Sequence, residues 1–175
     1  MRREIRFAGF GGQGVILAGL ITGRAAALHD GAEAIVTQSY GPEARGGACS
    51  AQLVIDDRTI DYPMVTRPDV LVVMSQEASQ KYTGDLAEDC KVILDEGLVN
   101  LPPSATWPTF KIPATKLAEQ LGNRMAANVV MLGFFTAVTG AVGRSSMEAA
   151  IRDSVKERFI DLNMKAFDIG YGYGR

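Results

Sequence analysis

The sequence predicts an α/β fold: three layers, α/β/α, around a mostly parallel mixed sheet with a Rossmann-like, glycine-rich first turn. Three observations predict it. Short apolar runs of the kind buried on both faces of a sheet recur through the chain, helical segments separate several of them, and the cluster Gly9-Phe10-Gly11-Gly12-Gln13-Gly14 falls between the first strand-like run and the first helical one.

Taken in order, Glu4 to Ala8 reads as the first strand, and Val15 to about Leu28 as the helix that follows the glycine turn. Ala34 to Gln38 is a second strand. It runs into Ser39-Tyr40-Gly41-Pro42-Glu43-Ala44-Arg45-Gly46-Gly47, where Gly and Pro exclude regular structure. Ala48 to Ile55 alternates its larger apolar residues, and Asp56-Asp57-Arg58 separates it from Thr59 to Tyr62, so the two read as a hairpin and make the sheet mixed. Asp69 to Met74 and Lys91 to Leu94 are further buried strands, with a helix around Glu77 to Leu86 between them. Thr109 to Ile112 adds a strand after the Pro102-Pro103 break. The remainder is helical, with Ser145-x-x-Glu148 as a capping box, and the Gly- and Tyr-rich end 170–175 is expected to be flexible. No repeat or linker divides the chain, so residues 1–175 are read as one domain, a size at which a single core buries most of the apolar surface.

With 47% hydrophobic and 22% charged residues and a formal net charge of −2, the chain sits among ordinary soluble globular proteins and away from nucleic-acid binders. The two cysteines, Cys49 and Cys90, have no second Cys or His at ligand spacing, so neither a zinc site nor an iron–sulfur cluster can be assembled from this chain alone. The N-terminus turns straight into a strand without the apolar stretch of a secretory signal, which points to the cytoplasm. Met125 to Gly143 carries no charge and reaches the lower length limit for a membrane span. Its Asn128, Gly133, Thr136, Thr139 and Gly140 favour instead a buried helix, packed within the chain or against a second copy in a homodimer, and no membrane partner is expected.

Gly9-x-Gly11-x-x-Gly14 lies in the strand-to-helix context in which backbone N–H groups can approach a phosphate. A dinucleotide reading also requires an acidic residue at the end of the second strand. That strand ends at Thr37-Gln38, which leaves another phosphate-bearing ligand or a structural turn. Tyr40, Glu43 and Arg45, with Gly46 and Gly47, form a second loop that should emerge at the same sheet edge, where Arg45 could meet phosphate or a partner carboxylate, or merely Glu43. Gln76-Glu77 reaches that edge too, as a site candidate or a helix start. His29, the lone histidine, ends a predicted helix, and no nucleophile–base pair is recognisable, so no catalytic residue is assigned.

Together, the two glycine-rich loops resemble the signature loops of the gamma subunit of 2-oxoacid:ferredoxin oxidoreductases. Asp61-Tyr62-Pro63, Pro68-Asp69-Val70, Ser75-Gln76-Glu77-Ala78 and Asn128-Val129-Val130-Met131-Leu132-Gly133 look like that family's motifs in the same order, and Gly41-Pro42-Glu43-Ala44-Arg45 looks most like its 2-oxoglutarate branch, ahead of the pyruvate and branched-chain ones. The resemblance implies a non-catalytic subunit of a complex that decarboxylates a 2-oxoacid, passing electrons to ferredoxin and the acyl group to coenzyme A. Alpha and beta subunits would supply the thiamine diphosphate pocket and a ferredoxin-like delta subunit the iron–sulfur clusters. Gly9, Gly11, Gly12, Gln13 and Gly14 would then lie near the coenzyme A pyrophosphate, and Tyr40, Arg45, Gly46 and Gly47 would close the pocket or face a partner. The alternative is a stand-alone nucleotide or acyl-CoA binding module, or an assembly factor.

Overall fold

A computed structural model of the chain describes residues 1–40 and 47–175. Strands β1 (Arg3–Phe10), β2 (Glu33–Tyr40), β3 (Ala48–Asp56), β4 (Val70–Val73), β5 (Lys91–Asp95) and β6 (Thr109–Ile112) form one sheet in the order β2-β3-β1-β4-β5-β6. β1, β4, β5 and β6 are parallel neighbours, whereas β3 is antiparallel to both β1 and β2. The sheet is therefore mixed and mostly parallel, but the expected hairpin is corrected. β3 pairs with β2 behind it rather than with residues 59–62, which form no strand. Asp61 and Pro63 suit that segment poorly to a ladder, and Arg2 and Glu4 hold its neighbourhood instead: Arg2 donates to the Tyr62 and Met64 carbonyls, and Glu4 accepts from the Thr66 and Arg67 amides.

This placement also separates the fold from a dinucleotide-binding one. Beside β1, where such a fold puts its parallel second strand, stands the antiparallel β3, and β2 lies one place further out.

Helices α1 (Val15–Arg24), α3 (Ala114–Gln120), α4 (Ala127–Thr139), α5 (Arg144–Ser154) and α6 (Ile160–Tyr173) cover one face, while α2 (Gln76–Lys81) and irregular segments cover the other. Alternation along the strands sorts the core accordingly: Ile5, Phe7, Ala51, Leu53 and Val72 meet the five helices, and Ala8, Leu71, Val73 and Val92 meet the α2 side. α1 lies close on β3 and β2 because Gly19 and Gly23 carry no Cβ; one added at Gly19 would come within 2.5 Å of the Ala51 Cβ. α1 continues through a wider π turn, Ala25–His29.

α4 is buried through nearly its whole length, packed within the chain against α6, with Phe7 edge-on to Phe135 at 5.3 Å. No helix among the described residues is long and apolar enough to cross a membrane. Two expectations at the C-terminal end are corrected. Residues Gly170 to Tyr173 are the last turns of α6, because Gly170 is buried against the backbone of α4 and Tyr173 packs edge-on to Phe134. Ser145 does not cap α5. The helix starts two residues earlier, with Gly143 in the cap position, and Asp30 supports it by accepting from the Gly143 amide at 2.9 Å and from the Ser146 hydroxyl, while Glu148 pairs with Arg144. Arg144 also reaches Asp168 at 3.0 Å and stacks on Tyr171, joining α5 to α6.

Candidate functional site

β1 and β2 both run antiparallel to β3, so both glycine-rich loops leave the sheet at the same edge. Gly9 and Tyr40 flank Cys49 in one row across three strands, roughly 10 Å apart at the usual strand spacing. Gly47 leads into Ala48, the partner of Phe10. Arg45 and Gly46, with Glu43, lie outside the described residues. Tyr40 is 67% exposed and donates its hydroxyl proton to Gln38 at 2.9 Å.

The glycine turn is built from within. Gln13 bends back so that its Oε1 accepts from the Phe10 amide at 2.6 Å and its Nε2 donates to the Met74 carbonyl at 2.8 Å, which ties the turn to the end of β4. Its side-chain amide is thus spent on holding the turn. Gly9 must be glycine because a Cβ there would sit 2.6 Å from that Oε1 and 2.8 Å from Val15. Gly12 and Gly14 adopt φ of +95° and +77°, the left-handed region that disfavours side chains, and a Cβ on Gly14 would also strike Asn128. Gly11 and Gly12 are exposed. α1 follows Gly14 without a side-chain cap, so its first-turn amides stand at the positive end of the helix dipole with no capping side chain to accept from them. That arrangement can hold an anion.

Two cavities flank the turn. The larger, about 410 Å³, lies between the start of α1, residues 123–129 and the junction of α5 with α6, and includes Gly14, Leu17, Met125, Asn128 and Phe159 in its walls. The smaller, about 90 Å³, lies on the other side of Met125, between Gly12, Gln13, Met74, Thr115 and Arg124. Sequence reasoning placed the turn but not these walls. Asn128, a polar residue inside an apolar helix, was the signal that could have led to them.

The other candidates fall elsewhere. Gln76 exchanges two hydrogen bonds with the backbone of Asn100, and Ser75 caps α2 by accepting from the Ala78 amide. His29 meets Asp153 at 3.1 Å on the surface. Cys49 and Cys90 are buried in separate parts of the core, and burial pushes the Cys90 thiol up to about 12.

Comparison with known proteins bears on the family of the chain. The family model for pyruvate ferredoxin/flavodoxin oxidoreductase matches residues 4–173. The 2-oxoglutarate synthase subunit KorC of Methanocaldococcus jannaschii is 51% identical, across 98% of this chain and 93% of that protein. The crystal structure of the gamma subunit of a keto/oxoacid ferredoxin oxidoreductase from Geobacter sulfurreducens superimposes with a TM-score of 0.91 at 40% identity, over 99% of this chain and 97% of that one. The fold also recurs in the 2-oxoglutarate:ferredoxin oxidoreductase of Magnetococcus marinus, solved with 2-oxoglutarate, coenzyme A and succinyl-CoA bound: TM-score 0.89 and 22% identity, over 99% of this chain but 31% of the longer one. A glycine turn locked by its own glutamine, on a sheet matched end to end by a separate gamma subunit, thus places the chain in the pyruvate ferredoxin/flavodoxin oxidoreductase family, as a subunit of the gamma type.

Proposed function

We propose that the chain is the gamma subunit of a cytoplasmic 2-oxoglutarate:ferredoxin oxidoreductase and that its glycine turn holds the pyrophosphate of coenzyme A. The observation that carries this is the turn itself. Gly11, Gly12 and Gly14 bring bare backbone to the surface at an uncapped helix start, with Gln13 fixing their conformation from below. Coenzyme A supplies the thiol that accepts the acyl group; this chain binds and orients it. The Magnetococcus marinus enzyme, which carries the same fold as part of a longer chain, binds coenzyme A, and the Methanocaldococcus jannaschii relative is a 2-oxoglutarate synthase subunit. Tyr40 and Gly47, with Arg45 and Gly46 between them, close the pocket or meet a neighbouring subunit. Alpha and beta subunits with thiamine diphosphate, and a ferredoxin-like delta subunit with iron–sulfur clusters, complete the assembly, and ferredoxin takes the electrons.

The test is purification of the tagged subunit from its native cells, followed by coenzyme A-dependent viologen reduction with 2-oxoglutarate, pyruvate and branched-chain 2-oxoacids. Partner subunits with highest kcat/KM for 2-oxoglutarate are expected, and no activity from the chain alone. A chain that purifies without partners would point to a stand-alone binding module. A preference for pyruvate would overturn the substrate.

A further inference from the structure

The two edges of the sheet are guarded differently. β6 ends the sheet on one side with four residues, Thr109–Ile112, set between Pro108 and Pro113 and carrying Lys111, and each of these features opposes pairing with a further strand. β2 ends it on the other side with eight residues, Glu33–Tyr40, which contain neither Lys nor Pro and run beside β3 in unbroken register, so no bulge turns the edge away. Among the described residues nothing pairs with its outer side. A row of backbone N–H and C=O groups about 27 Å long is therefore open there. Beside it, on the face of the five helices, stands an apolar stripe. Leu20 of α1 and Leu28 of the π turn are 45% and 69% exposed, and Gly23 lets the helix sit so close to β2 that a Cβ there would lie 2.8 Å from Val36. A groove of about 500 Å³ runs between these leucines and Ala34 and Val36, with Arg24 and Asp153 also in its walls. Arg24 donates to the Asp153 carbonyl at 3.2 Å and has no carboxylate partner among the described residues.

We propose that β2 and this stripe form the contact between two copies of the chain, joined edge to edge about a two-fold axis so that their sheets become one. The edge is complementary to itself. Paired antiparallel and centred on Val36 or on Thr37, β2 keeps every side chain on its own face of the joint sheet, and in neither register does Glu33, its one charged residue, meet Glu33 of the other copy. Such an axis stands perpendicular to the sheet, so the helices of both copies stay on one side and their leucines meet above the seam. The groove carries one cation and one carboxylate, and the same axis sets Arg24 of each copy toward Asp153 of the other. A strip about 27 Å long and about 20 Å high, the depth of a sheet plus one helix layer, gives about 500 Å² of flat outline per copy. Side-chain relief carries that toward the ~800 Å² that each partner buries in a stable interface. The inference does not rest on the coenzyme A reading.

The experiment is sedimentation equilibrium on the full chain over a wide range of concentration, and the wild type is expected to be a dimer. Gln38→Lys gives the edge the charge that β6 already carries, and Leu20→Glu puts a carboxylate into the stripe. Both positions are exposed, so both variants should keep the circular dichroism of the wild type while raising the dimer Kd about tenfold or more. Arg24→Asp and Asp153→Arg should each weaken the dimer alone, because like charges then meet on both sides of the axis, and should form a mixed dimer when combined, because opposite charges meet again. A monomeric wild type would overturn the proposal, as would a dimer that neither Gln38→Lys nor Leu20→Glu weakens. A mixture of the two charge variants no tighter than either alone would deny the two-fold axis. A wild type that is monomeric alone, but whose edge variants fail to retain partner subunits on purification from native cells, would assign the edge to a foreign chain instead of a second copy.

Discussion

The two faces of the sheet are held by different physics. On the face of α1 and α3–α6, the closest contact is backbone on backbone. A Cβ on Gly133 would lie 2.1 Å from the Phe167 carbonyl oxygen, and one on Gly170 would lie 1.8 Å from that of Val130, so α4 and α6 touch through Cα–H groups aimed at carbonyls. On the α2 face a buried cation does comparable work. Arg6, 5% exposed, forms a two-pronged pair with Asp85 at 2.6 and 2.8 Å, donates to Gln52 and lies over the ring of Tyr82. One face should therefore respond to volume and not to pH, the other to charge and to pH.

The sharpest way to break that contrast is Gly133→Ala or Gly170→Ala. Either should lower stability by about 3 kcal/mol, because helix backbones and not side chains have to move apart. Chemical denaturation should show the same loss at pH 5 and pH 8, and a loss of under about 1 kcal/mol would mean that the helices separate freely.

Asp85→Asn should have the next largest effect. It leaves Arg6 buried with only neutral partners, but Asp85 is itself about half exposed, so the loss should be about 2 kcal/mol, between the buried and surface limits. The hydrogen bonds from Arg6 hold the Asp85 carboxyl below its ordinary 3.8. A depressed carboxyl contributes stability that is present above its unfolded pKa and disappears as pH falls through the folded one. The difference between wild type and variant should accordingly be full at pH 7 and shrink below pH ~4, and a difference that does not change with pH would deny the pair its role.

Gly12→Ala tests a glycine chosen for conformation alone. Nothing lies near its missing Cβ, so only the φ of +95° opposes a side chain, and the loss should be about 1 kcal/mol. Gly172→Ala is the smallest and has the opposite sign. Gly172 is helical, exposed and free of neighbours, so alanine should stabilise α6 by about 0.5 kcal/mol. A loss there would show that α6 is held at its end by something other than Gly170.

The strands, the glycine turn and the buried helix α4 were legible because each is written in consecutive residues. Apolar runs of four or five, a Gly-rich strand-to-helix turn and an uncharged stretch interrupted by small residues are local signals. The cap of α5 and the order of the C-terminal end were misread because each depends on a distant residue, and the hairpin partner because β3 pairs back across the loop before it and not across the turn after it. Asp30 reaches Gly143 across more than a hundred positions, and the end of α6 is held by Val130 and Phe134 of α4. At the site, Gly12 and Gly14 adopt the left-handed φ that a tight turn needs. Gln13 turns inward to Phe10 and Met74, and the larger cavity joins residues from α1, α4 and the start of α6 that no spacing in the sequence connects.

By itself the sequence determined the class of fold, the turn and the family, since periodicity and short motifs act within one element. Only the tertiary structure decided which face is held by backbone contact and which by charge, and that Gln13 turns inward to lock the glycine turn. Those outcomes depend on what arrives from elsewhere in the chain to fill a missing Cβ or to satisfy a hydrogen bond.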